Sequence, residues 1–187
     1  LMHPLICLVA FLLLFSLYHL PDIHDGIMVR YAVHAAYYAL LFVTAMMLWW
    51  HISCPVPEWD RLPPLRKIAY VFMSGVLLTP ACVLIIFAGT PVYAVYSDPQ
   101  VWVRAIGYCV AGDPSYLLEV AGGPAFFQWL TPLEDQQLGG IVMKLLQELV
   151  NIIALYTIFM SWYHLERAKE KEGYDEETVA PARLGNV

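Results

Sequence analysis

The chain has 187 residues, 60% of them hydrophobic and only 14% charged, with a net charge of −6. A soluble domain carries about 25% charged residues, so the composition excludes an ordinary water-soluble globule. It shows no basic stripe of the kind that binds nucleic acid. Long apolar runs point instead to an all-α integral membrane bundle in a lipid bilayer.

The first apolar segment covers about residues 4–20, near the lower limit for a span. It lacks a basic leader and a small-x-small cleavage site, so it reads as a span rather than a signal peptide. An opening at Leu1 gives the expectation that the sequence starts partway into a longer protein. The second segment covers about 28–50 and the third about 66–89. The connection over 90–131 is too long for a simple turn. Its aromatics (Tyr93, Tyr96, Trp102, Tyr108, Phe126, Phe127 and Trp129) read as resting on the membrane or on a partner. Pro99, Pro114 and the run Gly122, Gly123, Pro124 divide it into short pieces.

The fourth segment covers about 132–162. Thr131 suits an N-cap, Pro132 the first helical position, and Glu134 completes a capping box. Asp135 adds negative charge at the positive end of the helix dipole. The helix is expected to continue to Glu172, closing a transmembrane domain over 1–172. Residues 173–187 then read as a disordered tail.

Lys and Arg placement sets the expected topology. Arg61, Arg66 and Lys67 precede the third segment, and Arg167, Lys169, Lys171 and Arg183 follow the fourth. Only Arg30 and Arg104 lie on the other side. Seven against two puts the C-terminus in the cytoplasm of a multi-pass protein of the bacterial inner membrane. Trp49, Trp50, Trp59 and Trp162 fit an aromatic belt on that inner face.

Polar side chains gather at the outer mouth. His19, Asp22, His24 and Asp25 surround the first outer turn. Met28 opens the second segment, and His34 lies about two turns inside it. The fourth segment adds Asp135, Gln136, Gln137 and Met143. Imidazole, thioether and carboxylate form a set suited to copper, with Met favouring Cu(I). The competing reading is interfacial groups that cap helices and meet water, and it is favoured for His19 and His24. His34 is deeper, with Tyr37 and Tyr38 at i+3 and i+4, and an intramembrane histidine normally finds a partner. Lys144 and Glu148, one turn apart inside the fourth span, read as an ion pair. Cys7, Cys54, Cys82 and Cys109 form no zinc or redox spacing. No catalytic motif is present, so no enzyme activity is expected.

Several pieces occur together in one order: His3-Pro4, Leu20-Pro21-Asp22, His34-Ala35, Trp49-Trp50 with Pro55 and Pro57, Arg66 to Tyr70, and Pro91 to Tyr96. The most specific is Leu133 to Met143, LEDQQLGGIVM. In these the chain resembles the C-terminal part of the CtaG family, multi-span proteins linked to assembly of the copper centre of cytochrome c oxidase. It departs from the family pattern at Tyr37 and Tyr38, where a second acidic or histidine side chain is usual. It departs again at Lys144, where a tryptophan tends to follow the motif methionine. The resemblance implies a non-catalytic assembly factor that binds copper on the outer side and helps deliver it to a membrane oxidase. His34 and Met143 would be inner ligands and His24 and Asp135 would sit nearer the entrance. Gln136, Gln137, Tyr38, Lys144 and Glu148 would support them. The alternative is an accessory subunit of a larger copper-dependent membrane complex. A transporter would need a continuous polar path or internal repeats, and the sequence shows neither.

Overall fold

The computed structural model describes residues 3–54, 56–60, 62–111, 113–127 and 129–184. Pro55 and Arg61, used above, lie outside the described residues, as do the side chains of Phe127 and of everything after Glu172. The described elements are all helical. They are α1 (Pro4–Tyr18), α2 (Pro21–Met28), α3 (Tyr31–Ser53), α4 (Pro64–Ile86), α5 (Ala94–Ser97), α6 (Pro99–Ile106), α7 (Ser115–Ala121) and α8 (Pro132–Leu184), with 3-10 turns at Pro57–Trp59 and Pro124–Phe127.

Among the described residues, α3, α4 and the Pro132–Glu172 part of α8 are long and apolar enough to cross a membrane. The 23 residues of α3 and of α4 rise about 34 Å, enough for a hydrocarbon core of about 30 Å. The 15 residues of α1 rise only about 22 Å. It meets α2 at an 82° bend, so the pair makes a fourth span only when taken together. Along the spans Phe42, Phe72 and Leu145 are 67%, 61% and 64% exposed, a face that suits lipid tails rather than water. The chain is a multi-pass helical membrane protein.

The bend falls at the end of the apolar run read over 4–20, and its cause is local. Pro21 opens α2 and holds Leu20 in extended backbone (φ −75°, ψ 128°), which α1 cannot continue through. The second apolar segment, read from about Met28, starts later. Met28 closes α2, and α3 starts only at Tyr31. His34 therefore lies in the first turn of α3, shallower than the two turns expected from the sequence.

α8 packs chiefly on α4, and α1 on α3. One buried cluster joins Leu8, Leu48, Ile52, Tyr70, Val71 and Ala154; a second joins Ile85, Tyr93 and Val95, with Met28 and Met143 packed against it. The α4–α8 seam combines small and polar residues, the usual means by which helices associate without a hydrophobic driving force. A Cβ on Gly140 would lie 2.9 Å from Ile86 Cγ1 and 3.0 Å from Ile85 Cγ2, so the approach depends on glycine. Further along, Lys144 Nζ donates to Thr79 Oγ1 at 2.8 Å and pairs with Glu148, while Gln147 Nε2 donates to Gly75 O at 3.2 Å.

The start of α8 carries the reciprocal capping box. Thr131 N donates to Glu134 Oε2 at 2.9 Å, and Glu134 N to Thr131 Oγ1 at 3.3 Å. The helical backbone runs past Gly173 to Leu184, beyond the end placed at Glu172 from sequence. The connection over 87–131 folds into α5, α6 and α7, with the Asp98 carboxylate capping α6 by accepting from Gln100 N at 2.7 Å. The end of the bundle bearing this connection is termed the loop end below.

Candidate functional site

A cavity of about 270 Å³ opens at the loop end. It is walled by Tyr18, His19, His24, Ile85, Pro91, Tyr93, Tyr96, Pro132, Asp135, Gln136, Gly139, Gly140 and Met143. The α8 contribution follows from helical periodicity: positions 135 and 136, 139 and 140, and 143 recur about every fourth residue and share one face. Glu134 is occupied by the capping box, which leaves Asp135 as the free acidic group of the motif on the cavity wall.

The two glutamines of the motif hold the cavity wall. Gln136 Nε2 donates to Ile85 O at 3.2 Å, and its Oε1 accepts from Val92 N at 2.8 Å. Gln137 Nε2 donates to Ala88 O at 3.2 Å. Ile85 is in the last turn of α4, where carbonyls have no intrahelical N–H to accept from. The glutamines thus cap α4 and anchor the segment that follows it.

The opposite wall comes from α2 and the start of α5. Asp25 binds these together, its Oδ2 accepting from Ala94 N at 2.8 Å and its Oδ1 from Val95 N at 3.2 Å. Tyr93 is buried; its hydroxyl donates to His19 O at 3.0 Å. Burial pushes the Tyr93 hydroxyl up to about 12. His19 is itself engaged, with Nδ1 at 2.7 Å from Phe15 O.

His24 is only 4% exposed, with the Tyr93 ring at 4.3 Å and the Tyr18 ring at 5.0 Å. Its Nδ1 has no hydrogen-bond partner. Asp25 Oδ1 lies 3.5 Å away, within ion-pair distance but already accepting from the loop backbone. A buried polar atom without a hydrogen bond costs about 1–3 kcal/mol, a cost that the nearby Asp25 carboxylate offsets only in part and that a ligand would relieve.

Of the four donors singled out in the sequence, His24, Asp135 and Met143 line this one cavity, and His34 does not. His34 is half-buried, its ring 4.3 Å from Tyr38, whose hydroxyl meets that of Tyr18 at 2.7 Å. Tyr18 does line the cavity, so His34 stands one layer behind it. Among the described residues no group of three or more His, Cys, Asp or Glu side chains is placed to hold a metal. The donor set at the cavity is two imidazoles (His24, and His19 with its Nδ1 held by Phe15 O), one carboxylate and one thioether. Lys144 and Glu148 lie deeper on α8, outside the cavity wall.

Tyr18, Tyr93 and Tyr96 complete the walls and were not singled out as site residues from sequence. The Pro91 to Tyr96 motif held a signal for the latter two; Tyr18 had none. In chemical terms the cavity offers a mixed soft and hard donor set to a cation between aromatic walls.

The family model for the cytochrome c oxidase caa3 assembly factor (Caa3_CtaG) matches residues 1–164 of the chain. No curated protein and no solved structure matches it. The matched region takes in α1 to α7, the whole cavity and the part of α8 that pairs with α4. With most of its length matched, the chain belongs to the cytochrome c oxidase caa3 assembly factor family.

Proposed function

We propose that this protein assists assembly of a respiratory cytochrome c oxidase from within the membrane, carrying copper as cargo in the loop-end cavity. Family membership supports the assembly role. The observation that carries the copper reading is the buried His24 imidazole, whose Nδ1 makes no hydrogen bond and stands at ion-pair distance from Asp25, in a cavity shared with Met143 and Asp135. Imidazole and thioether suit Cu(I), while the exposed Asp135 carboxylate attracts a cation to the mouth. His34 orients Tyr38 rather than meeting the ion. The Lys and Arg distribution supports an outer-face position for this cavity, from which the protein would hand on copper without chemical turnover.

The test uses the whole chain in mild detergent, titrated with Cu(I) against a competing chelator. One equivalent bound through nitrogen and thioether sulfur is expected, and His24→Ala with Met143→Leu should remove it. Undiminished binding in the double variant would contradict the assignment.

A second reading, an accessory subunit of a larger copper-dependent complex, is favoured by the loop aromatics. Tyr116 and Trp129 are 64% and 101% exposed, and large exposed aromatics mark contact surfaces. It predicts a fixed stoichiometry with the oxidase after purification; an assembly factor would associate only during maturation.

A further inference from the structure

The α4–α8 seam carries a second opening, well inside the spans and away from the loop-end cavity. This groove of about 210 Å³ is lined on α4 by residues between Val71 and Thr79, and on α8 by Glu148, Asn151 and Leu155. Its lining recurs at helical spacing, so it runs along the helix axes for about 12 Å. Two polar side chains in it are not satisfied from within. Asn151 is 9% exposed, and among the described residues its carboxamide meets no hydrogen-bond partner. A Cβ on Gly75 would lie 2.7 Å from Asn151 Nδ2, so the carboxamide rests against glycine backbone. Glu148, one turn earlier on the same face, stands further out, its side chain 45% exposed. One of its oxygens pairs with Lys144, whereas a carboxylate can accept about four hydrogen bonds. Polar groups at this depth are costly unless something meets them.

We propose that this groove is a self-association face: two copies of the chain pair through it, Glu148 of each accepting from the Asn151 amide of the other. The proposal is independent of whether the loop-end cavity binds copper. Complementarity within the face selects a second copy as the occupant. A recessed donor and a protruding acceptor stand three residues apart on α8, about 4.5 Å along the axis. Copies in one membrane share an orientation, so a two-fold axis along the membrane normal brings equal depths together. Every contact is then made twice, from each copy to the other. An extended Glu148 side chain spans the small offset in depth, and each copy supplies what the other lacks. Lys144 already neutralises Glu148, so no net charge enters the interface. Phe72 and Val76, exposed beside the groove, add apolar packing of the kind that joins helices in lipid. A lipid tail would fill the same space but offers neither donor nor acceptor.

The experiment measures resonance energy transfer between copies in phosphatidylcholine vesicles over a range of protein-to-lipid ratios. Full-length chain is labelled with donor or acceptor dye at Cys109, which is exposed, in a Cys54→Ser background. Transfer following a monomer–dimer curve is expected. Asn151→Leu removes the donor, and Lys144→Met with Glu148→Leu removes the acceptor without leaving a lone charge. Each variant paired with itself loses both contacts, which should weaken the dimer by about 10- to 100-fold. Mixing the two variants restores one contact of the two. The mixed pair should therefore associate more tightly than either variant does with itself, a rescue that a misfolded variant could not give. Phe42→Leu on α3, away from the groove, should change nothing. A chain that stays monomeric at every ratio would overturn the proposal and leave the groove to lipid or to another protein's helix. A dimer indifferent to Asn151→Leu, or a mixed pair no tighter than the self-pairs, would overturn it equally.

Discussion

Adjacent glycines on α8 give a matched test of the α4–α8 seam. At Gly139 a Cβ would meet nothing within 4 Å, whereas at Gly140 it would lie 2.9 Å from Ile86 Cγ1, 3.0 Å from Ile85 Cγ2 and 3.3 Å from Ile85 Cβ. Gly139→Ala and Gly140→Ala share the same helix and the same gain in helix propensity, about 0.5–1 kcal/mol. That gain cancels between them. What remains is the overpacking term at Gly140, about 1–3 kcal/mol for a methyl forced into a filled contact. Gly139→Ala should therefore be neutral or stabilising, and Gly140→Ala less stable than it by about 1–3 kcal/mol. This is roughly 5- to 150-fold in the unfolding equilibrium at about 1.4 kcal/mol per decade. Reversible unfolding of the two variants in the same detergent micelles measures the difference. Equal stabilities, or a less stable Gly139→Ala, would refute the close approach of α4 and α8 on which the cavity wall depends.

Other consequences follow from single side chains. Gln136→Leu strips the side-chain partners from Val92 N and Ile85 O; at about 1–3 kcal/mol per buried group left unpaired, amide exchange at Val92 should accelerate, and unchanged protection would refute the capping role. Asp25→Ala frees the N–H groups of Ala94 and Val95. Hydrogen bonds to a charged group contribute about 1.5–3 kcal/mol each, so limited proteolysis within 98–131 should speed up, and an unaltered cleavage rate would contradict the anchor. Lys144→Met leaves Glu148 without its cation partner inside the span, and this should destabilise the protein more than Lys144→Met combined with Glu148→Leu. A double variant less stable than the single one would show that the pair is not the relevant unit.

Local signals in the sequence translated directly into structure. Thr131, Pro132 and Glu134 specify the start of α8 because a capping box is closed within four residues. The long apolar runs specify α3, α4 and α8 because only helices satisfy their own backbone in lipid. The end of the first run before Pro21 was legible; its 82° turn into α2 was not, since a run of apolar residues records burial or lipid contact, not direction. The burial of His24 was not legible at all. It read as an interfacial group, and it is enclosed because Tyr93 covers its ring and Asp25 ties α2 to backbone about seventy residues on. The hydrogen bond between Cys7 and His51, across 44 positions, was equally invisible. Helical periodicity shows which residues share a face and not which faces meet.

On the proposed reading the loop-end cavity carries copper destined for the oxidase. Copper per haem, measured in oxidase purified from cells expressing either the unaltered chain or the His24→Ala, Met143→Leu variant at equal abundance, tests it most directly. A copper-deficient oxidase in the variant cells, matching that from cells without the protein, is predicted. Full copper occupancy with the variant would contradict the account.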